Sequence, residues 1–450
     1  MPAYDNKKFY KTVFALVLPI TIQFAINTAV TAADVVMLGG VGETVLSGAS
    51  LANQIQFLMT MLLAGTASGA VILTAQYWGS GEKEIVAKIF GLSFRVSIFA
   101  AILFFVSAFF FPEMLMRIYT SDPAVIAEGA KYLHIVAFGY LFSAFTMMYL
   151  HIVRTMNRVI VSTVIYAVSL VVNVIVNYTL INGAFGFPRL EVRGAAIGTV
   201  IARMVEFALM LIYVKKINKD IELHIKDIFH NYKWLWKDFV KYTLPVLASE
   251  LMTGVGATVV SSIIGHLGSA AVAANSIAQV ERQFALAIGT GIAAASCIVI
   301  GQMIGENKLE LARICTHKLV RLTLFFGAIG SAIILATSPA VREFMNITPQ
   351  AKEYLLYMQI VMALCVLAQS YNYCLILGAL RAGGDVAFGT ILTAVTLYGG
   401  AVLFGFLAAF VWKWSVPVVY CILLCDDFLR VPFAAWRLHS GKWLKRIVRE

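Results

Sequence analysis

VFALVLPITIQFAINTAVTAADVVMLGG, residues 13–40, is the stretch that decides the fold. It is long enough to cross a bilayer, because about 20 apolar residues span the hydrocarbon core. Pro19 lies near one end, and Asp34 is its only charged residue. A bare charge at bilayer depth costs roughly 2.5–3.5 kcal/mol, so it usually faces a cavity and has a function. The stretch therefore predicts a membrane-spanning helix with a candidate functional acid.

The composition indicates a protein with many membrane spans. Of 450 residues, 60% are hydrophobic and 13% are charged, whereas soluble domains are about half apolar and a quarter charged. The net charge of +11 could point to nucleic acid, but the basic residues lie in short loops between apolar runs, where they set topology. We expect a bilayer as environment and no nucleic-acid partner. The six cysteines form no C-x-x-C pair, so no disulfide framework, thiolate metal site or cofactor is expected.

Apolar windows of about 20 residues recur and predict an all-α protein with twelve transmembrane helices. Lys and Arg cluster before the first window, in 215–241 and in the tail, so both termini are expected in the cytoplasm. We divide the chain into an N-terminal six-helix lobe (1–214), a cytoplasmic amphipathic linker (215–239) and a C-terminal six-helix lobe with a basic tail (240–450). KWLWKDFVK at 233–241 has the pattern of an interfacial helix. The windows are 13–38, 51–77, 89–111, 131–153, 160–181, 195–214, 240–264, 277–303, 318–337, 355–377, 388–410 and 415–436.

The two halves of the chain are an internal repeat. When Pro19 is placed on Pro245, a series of landmarks aligns in order. Each half has six windows, so both halves enter the membrane in the same direction, and the pseudo-twofold axis runs along the membrane normal. Such duplicated bundles are typical of secondary transporters; a channel is the alternative. The aligned pairs are Pro19 and Pro245, Gly42 and Gly268, Ala52 and Ala278, Gly65 and Gly291, Gln76 and Gln302, Gly79 and Gly305, and, one residue further on, Arg154 and Arg381.

An ion gradient is the expected energy source, because the sequence has no nucleotide-binding signature. GSGEK at 79–83 lacks the spacing and the following Ser or Thr of a phosphate loop. Ion coupling requires carboxylates within the membrane. Asp34 and Glu250 have no oppositely charged neighbour on their own helix. Each could bind a proton or a monovalent cation, or attract a cationic substrate.

Other intramembrane charges have partners, and polar residues could complete a cation site. Arg203 and Glu206, like Asp427 and Arg430, are three residues apart and can neutralise each other, as can the adjacent Glu281 and Arg282. Asn173 and Asn177 are one helical turn apart on one face, and RGAAIGT places Thr199 four residues after Ala195. Small residues at this spacing are often packing residues only. Set against Asp34, these groups could also form an oxygen-lined site suited to Na+.

Four motifs resemble the multidrug and toxic compound extrusion (MATE) transporters, in a bacterial branch. They are LPITIQFAINTAVTAADVVMLGGVG, PVLASELMTGVGA, the N-x-x-x-N at 173–177 followed by GFPRLEVRGAAIGT, and LGALRAGG at 377–384. Their order and spacing cover nearly the whole chain. The resemblance implies two six-helix bundles, V-shaped around a central cleft, and a monomer.

The resemblance also implies site residues. Asp34 corresponds to the first-helix aspartate that couples transport to a cation, Asn173 to an asparagine of that site, and Thr199 and the Ala195 carbonyl to its ligands from the sixth span. Asn177 stands where archaeal-type members have a second aspartate. Glu250 resembles the glutamate of the seventh span, as a second coupling or substrate-attracting acid. The acid that other branches carry in the tenth span is missing here, and Gln369 and Asn372 are the polar residues present.

We therefore expect an antiporter in the cytoplasmic membrane, without enzymatic activity, that exports lipophilic organic cations in exchange for H+ or Na+. Asp34, Asn173 and Thr199 are the candidate Na+ ligands, and Pro19 and Pro245 are candidate hinges, because proline removes a backbone hydrogen bond and permits bending. Three alternatives stay open. A flippase for lipid-linked oligosaccharides shares the architecture, an intramembrane enzyme would need clustered acids such as D-x-x-D, and a channel would conduct without exchange.

Overall fold

A computed structural model of the chain describes residues 6–218, 232–345 and 347–448. These residues form helices and include no β-strand. A helix satisfies its backbone hydrogen bonds internally, which suits uniformly apolar segments in a lipid environment. The helices are α1 (Asn6–Gly39), α2 (Glu43–Gly79), α3 (Lys83–Phe110), α4 (Pro112–Arg117), α5 (Pro123–Thr155), α6 (Val159–Asn182), α7 (Val192–Lys216), α8 (Lys233–His266), α9 (Ser269–Gly305), α10 (Leu309–Phe344), α11 (Pro349–Asn372, continued by the wide turns Tyr373–Leu380), α12 (Val386–Ala394, continued through Val395–Val402, Leu403–Phe406 and Leu407–Val411), α13 (Val416–Leu423) and α14 (Asp426–His439).

Eleven helices of the described chain are long and apolar enough to cross a membrane. They cover the first eleven predicted windows. The twelfth window, 415–436, is occupied by two shorter helices, α13 and α14, instead of one continuous helix. The physical reason lies in the sequence at the break, where Asp426, Asp427 and Arg430 follow the apolar residues of α13. Charged residues lower the hydropathy of this segment, and α14 carries them on one side.

The helices divide into two compact units. The first unit comprises Ile22–Thr74 and Glu82–Thr243, and the second comprises Met1–Thr21, Ala75–Gly81 and Leu244–Glu450. The unit boundaries fall inside α1, α2 and α8. The predicted linker lies largely outside the described residues, at 219–231.

The segment KWLWKDFVK, predicted as an interfacial helix, forms the first turns of α8 and is continuous with it. Its two faces differ, as an amphipathic pattern requires. Leu235 and Phe239 are buried, whereas Trp234 and Trp236 remain 38% and 41% exposed. The polar-apolar pattern is therefore present, but as part of a longer helix.

In the first unit, α6 and α7 approach each other closely. A methyl group on Gly194 would lie 2.7 Å from the Leu180 carbonyl oxygen, so only glycine fits there. Gly198, one turn later, faces the same neighbouring helix at Asn177. Small residues four apart allow two membrane helices to pack backbone against backbone. This packing brings the polar residues of α6 and α7 together.

In the second unit, the repeat produces a reciprocal contact. A methyl group on Gly79 would lie 2.2 Å from the Gln302 carbonyl oxygen, and one on Gly305 would lie 2.0 Å from the Gln76 carbonyl oxygen. Gly79 aligns with Gly305 and Gln76 with Gln302. In each half of the repeat, the aligned glycine therefore packs against the backbone of the aligned glutamine in the other half. The end of α2 and the end of α9 therefore cross through residues that the repeat relates.

The C-terminal tail packs against the end of α2. Gln76 Nε2 donates to the Ala382 carbonyl at 2.7 Å, and the Ile447 backbone N–H donates to Gln76 Oε1 at 2.7 Å. Trp443 is fully buried. The basic tail predicted from sequence is thus partly a structural element of the second unit.

Asp385 joins the same tail through two cations. Its carboxylate accepts hydrogen bonds from Arg437 Nε at 2.5 Å and from Lys445 Nζ at 2.9 Å. Burial alone would raise the pKa of Asp385, but these hydrogen bonds outweigh burial and hold the pKa below its ordinary value. The carboxylate is therefore kept ionised between its two partners.

Candidate cation-coupling site

Asp34 lies in α1 within the first unit and contacts the asparagine pair of α6. Asn177 Nδ2 donates to Asp34 Oδ1 at 2.6 Å and also contacts Asn173 Oδ1 at 3.3 Å. Asn177 is fully buried and Asn173 is 2% exposed. An amide that donates to a carboxylate forms one of the stronger protein hydrogen bonds. The structure therefore joins three of the predicted site residues in one chain of contacts.

Gly198 fixes the position of the Asn177 amide. A methyl group at Gly198 would lie 1.9 Å from Asn177 Oδ1, so the oxygen occupies the space that a side chain would need. This oxygen is buried, and none of the described residues donates a hydrogen bond to it. A buried acceptor without a partner costs free energy and is common where a ligand or water binds. Asn177 thus holds Asp34 with its nitrogen and leaves its oxygen available.

Two residues that the sequence did not single out, Tyr132 and Asn53, extend the cluster. The Tyr132 hydroxyl donates to Asn53 Oδ1 at 3.2 Å, and this hydroxyl lies within interaction range of both Thr199 and Asp34. A tyrosine within an apolar span is hard to distinguish by sequence from a packing residue. Its hydroxyl neighbours Thr199, a predicted member of the site.

The predicted α7 residues are both near the cluster but differ in their contacts. Thr199 is 7% exposed and neighbours Tyr132. Ala195 is buried in the first turns of α7, and none of the described contacts joins its carbonyl to Asp34. The oxygens of Asp34, Asn177 and Thr199 are all hard donors, which suit a proton or a hard monovalent cation such as Na+.

Arg203 and Glu206 form the ion pair that their spacing predicts. Arg203 Nη1 lies 2.7 Å from Glu206 Oε1, and Ser169 donates to the same oxygen at 2.7 Å. Arg203 is also within electrostatic range of Asp34. A cation one helical turn beyond Thr199 stabilises the ionised form of Asp34, so it opposes the cost of burying that charge.

Glu250 has no oppositely charged neighbour on its own helix, as expected, but it is paired with an arginine of another helix. In the second unit, Glu250 Oε1 lies 2.9 Å from Arg381 Nη2. The arginine comes from a helix 131 positions away, so spacing along one helix could not reveal it. The repeat-related arginine, Arg154, donates to Gln23 Oε1 at 2.5 Å in the first unit. Each arginine therefore contacts a polar residue four or five positions after the aligned proline.

Asp426 and Asp427 of α14 both lie next to Arg430, and the pair of Asp427 with Arg430 is the predicted one. Arg430 Nη1 lies 3.8 Å from Asp427 Oδ1, and Arg430 also forms a short ion pair with Asp426. Asn372 Nδ2 donates to the Asp427 carbonyl at 2.6 Å. Glu281, which we paired with Arg282, instead accepts a hydrogen bond from Gln359 Nε2 at 2.9 Å. These groups hold the helices of the second unit together.

Pro19 and Pro245 lie inside α1 and α8, at the aligned positions. In the second unit, the Thr390 hydroxyl donates to the Pro245 carbonyl at 2.9 Å. A helix that contains proline lacks one backbone hydrogen bond and bends more easily there. The hinge role of both prolines stays a prediction.

Comparisons with known proteins identify the family. The MatE family profile matches residues 19–179 and 245–407, which covers both halves of the repeat. The chain is 22% identical over 438 residues to "Uncharacterized transporter YisQ" of Bacillus subtilis, covering 97% of this chain and 95% of that protein. It is 23% identical over 451 residues to "Probable multidrug resistance protein NorM" of Thermotoga maritima, covering 100% and 96%.

A solved structure has the same fold. The Vibrio cholerae MATE transporter VcmN in the bent form matches with a TM-score of 0.85 and 18% identity, over 98% of this chain and 99% of that one. The predicted all-α fold of twelve transmembrane helices in two six-helix bundles is thereby confirmed. The chain belongs to the multidrug and toxic compound extrusion (MATE) family of multi-pass membrane transporters.

Proposed function

We propose that the protein is an antiporter that exports lipophilic organic cations across the bacterial cytoplasmic membrane, by alternating access, in exchange for H+ or Na+. The observation that carries the proposal is the contact of Asp34 with Asn177, a carboxylate within a membrane helix held by a buried amide. The name of the Thermotoga maritima relative, a probable multidrug resistance protein, supports the substrate class. Both termini face the cytoplasm, and the protein acts as a monomer.

Asp34 is the coupling acid in this proposal. A proton or Na+ that binds Asp34 neutralises a charge which Asn177 and Arg203 otherwise stabilise. Its arrival weakens the hold of the Asn177 amide on Asp34, because a neutral carboxyl accepts a weaker hydrogen bond than a carboxylate. The change takes place in α1, whose Pro19 then acts as the hinge. Cation binding and movement of the helix are coupled in this way.

The remaining predicted residues complete the cation site. Asn173, Thr199 and the Ala195 carbonyl supply oxygens around Asp34, and for Na+ the Asn177 oxygen without a partner becomes a further ligand. With H+ as the coupling ion, the same groups only solvate the protonated and ionised acid. In either case no other cofactor is needed.

Glu250 is the second acid of the proposed mechanism. It is paired with Arg381 and its side chain is 29% exposed, so a cation that approaches it competes with the arginine. An organic cation can therefore bind Glu250 only when its attraction exceeds that of Arg381. Competition of this kind would favour lipophilic cations, which gain apolar contacts in addition to charge.

The proposal is tested in proteoliposomes with a cationic dye as substrate. A pH gradient and a sodium gradient are imposed separately, and the effective one identifies the coupling ion. We expect Asp34→Asn to abolish gradient-driven dye transport. The matched control is Glu353→Gln, which neutralises an exposed acid at the start of α11 and should transport as wild type does. Gradient-driven export by Asp34→Asn at the wild-type rate would overturn the assignment.

A further inference from the structure

We propose that the second unit binds the anionic headgroup of a membrane phospholipid on a basic face formed by Arg313, His317 and Arg321 of α10 and His439 of α14. The His317 ring of α10 and the His439 ring of α14 lie near each other, with their centroids 6.1 Å apart. The side chains of Arg313 and Arg321 are within electrostatic range of His317. The four residues therefore form one surface. It belongs to the second unit, whereas the Asp34 cluster belongs to the first, and the inference does not depend on the transport mechanism.

The α10 part of the basic face follows the helix ridge. Arg313, His317 and Arg321 are four residues apart, so they lie on successive turns and cover about 12 Å of the helix. Arg313 and Arg321 are exposed. Among the described residues, no carboxylate forms an ion pair with either arginine. By contrast, the neighbouring Arg430 and Arg437 of α14 are both paired with aspartates.

Exposed apolar side chains continue both helices beyond the basic face. On α10 the next turns carry Phe325 and Ile329, which are 61% and 39% exposed. On α14 the turns before His439 carry Trp436 and Phe433, which are 59% and 53% exposed. Phe325 lies one turn, about 6 Å, from Arg321. Charge and apolar surface are thus arranged in the order in which a phospholipid presents its phosphate and its acyl chains.

This order selects a lipid among the anions that could bind. A soluble phosphate or an acidic peptide would be satisfied by the arginines and would gain nothing from exposed phenylalanine and tryptophan. Arginine donates two parallel hydrogen bonds to a phosphate, and tryptophan is enriched at the headgroup level of membranes. Basic residues next to a membrane helix attract anionic lipids with about 1 kcal/mol each. The positive charge of the arginines and the exposed apolar side chains next to them together indicate an anionic glycerophospholipid.

The test measures lipid binding by the full-length, delipidated protein. Phosphatidylglycerol is titrated into the detergent-solubilised protein, and bound lipid is counted by native mass spectrometry, with phosphatidylcholine as the neutral comparison. We expect Arg313→Gln/Arg321→Gln to weaken phosphatidylglycerol binding by about 30-fold, about fivefold for each charge removed. Free glycerol phosphate at the same concentration should not displace the lipid, because it lacks acyl chains.

Two further variants make the result decisive. Lys215→Gln/Lys216→Gln removes the same charge from exposed residues at the end of α7, and it should bind phosphatidylglycerol as wild type does. Arg313→Lys/Arg321→Lys keeps the charge and should lose less than tenfold, which separates loss of binding from misfolding. Equal binding by Arg313→Gln/Arg321→Gln and wild type would overturn the proposal. An equal loss of phosphatidylglycerol binding in the α7 control would also overturn the proposal, because it would mean that basic residues attract the lipid diffusely. Displacement of the lipid by glycerol phosphate would overturn it as well, because it would assign the site to a soluble anion.

Discussion

Replacing Gly198 by alanine should break the contact between Asp34 and Asn177 without changing any polar residue. The added methyl group would lie 1.9 Å from Asn177 Oδ1 and 3.0 Å from Asn177 Cγ, so the amide must move. Overpacking of this kind costs about 1–3 kcal/mol, and loss of a hydrogen bond to a charged group costs about 1.5–3 kcal/mol. Alanine recovers about 1 kcal/mol through its higher helix propensity. The expected net loss of stability is about 1.5–5 kcal/mol.

The matched control is Gly139→Ala in α5. A methyl group there would lie 3.6 Å from Arg203 Cγ and 3.7 Å from Val200 Cγ2, which are ordinary contact distances. Gly139→Ala gains the same helix propensity without a clash, so its stability should equal or exceed that of the wild type. Thermal unfolding in detergent and gradient-driven dye transport in proteoliposomes are measured for both variants.

A double variant separates the clash from other effects. Asn177→Ala removes the oxygen that the new methyl group would meet, so it should relieve the strain of Gly198→Ala. The two changes should then be non-additive, with the double variant more stable than the sum of the single effects predicts by about 1–3 kcal/mol. Transport should be absent from both Gly198→Ala and the double variant, because the contact with Asp34 is missing in both. Additive effects, or a Gly198→Ala protein with wild-type stability and transport, would refute the reasoning.

Two ion pairs give further predictions. Arg381→Gln should lower stability by about 2 kcal/mol, because it leaves Glu250 partly buried without its cation. Adding Glu250→Gln should restore part of that loss. Both effects are measured in a double-mutant cycle of unfolding in detergent, and a cycle with no coupling between the two residues would contradict the pairing. Asp385→Asn should destabilise by about 1.5–3 kcal/mol at neutral pH, because it removes the acceptor of two cations. Since the pKa of Asp385 is lowered by folding, this contribution is present above the ordinary aspartate pKa of about 3.9 and is lost as the pH falls through the lower folded value. The difference in unfolding midpoint between wild type and Asp385→Asn should therefore be constant near neutrality and shrink only below about pH 4; a difference that already vanishes at pH 6 would contradict this sign.

The spans were predictable because the bilayer imposes a strong pattern, a long apolar run with few charges. The break between α13 and α14 was harder to foresee, since Asp427 and Arg430 alone looked like a neutral pair within one helix. Asp426, the nearer ion-pair partner of Arg430, shows that the segment carries more charge than one continuous span readily contains.

The candidate site was partly predictable for a different reason. Asn173 and Asn177 share a helix face by spacing alone, so a cluster of both with Asp34 was a reasonable expectation; in the structure Asn177 contacts Asp34 and Asn173 contacts Asn177. Partners from distant segments were not accessible in the same way. Arg381 is far from Glu250 in the sequence, and Tyr132 looks like any aromatic residue in an apolar run. Only the assembled helices show that the Tyr132 hydroxyl lies near Thr199.

The contact between Gln76 and the tail has a consequence for biosynthesis. Gln76 is made early, but Ile447, whose backbone N–H donates a hydrogen bond to Gln76 Oε1, lies 371 positions later. At translation rates of 5–20 residues per second, roughly 20–70 seconds pass before this partner exists. Throughout that time the amide oxygen of Gln76 at the end of α2 lacks its final partner. A ribosome that stops before Ile447 therefore releases a protein in which the buried amide oxygen of Gln76 has lost this partner at the crossing of α2 and α9.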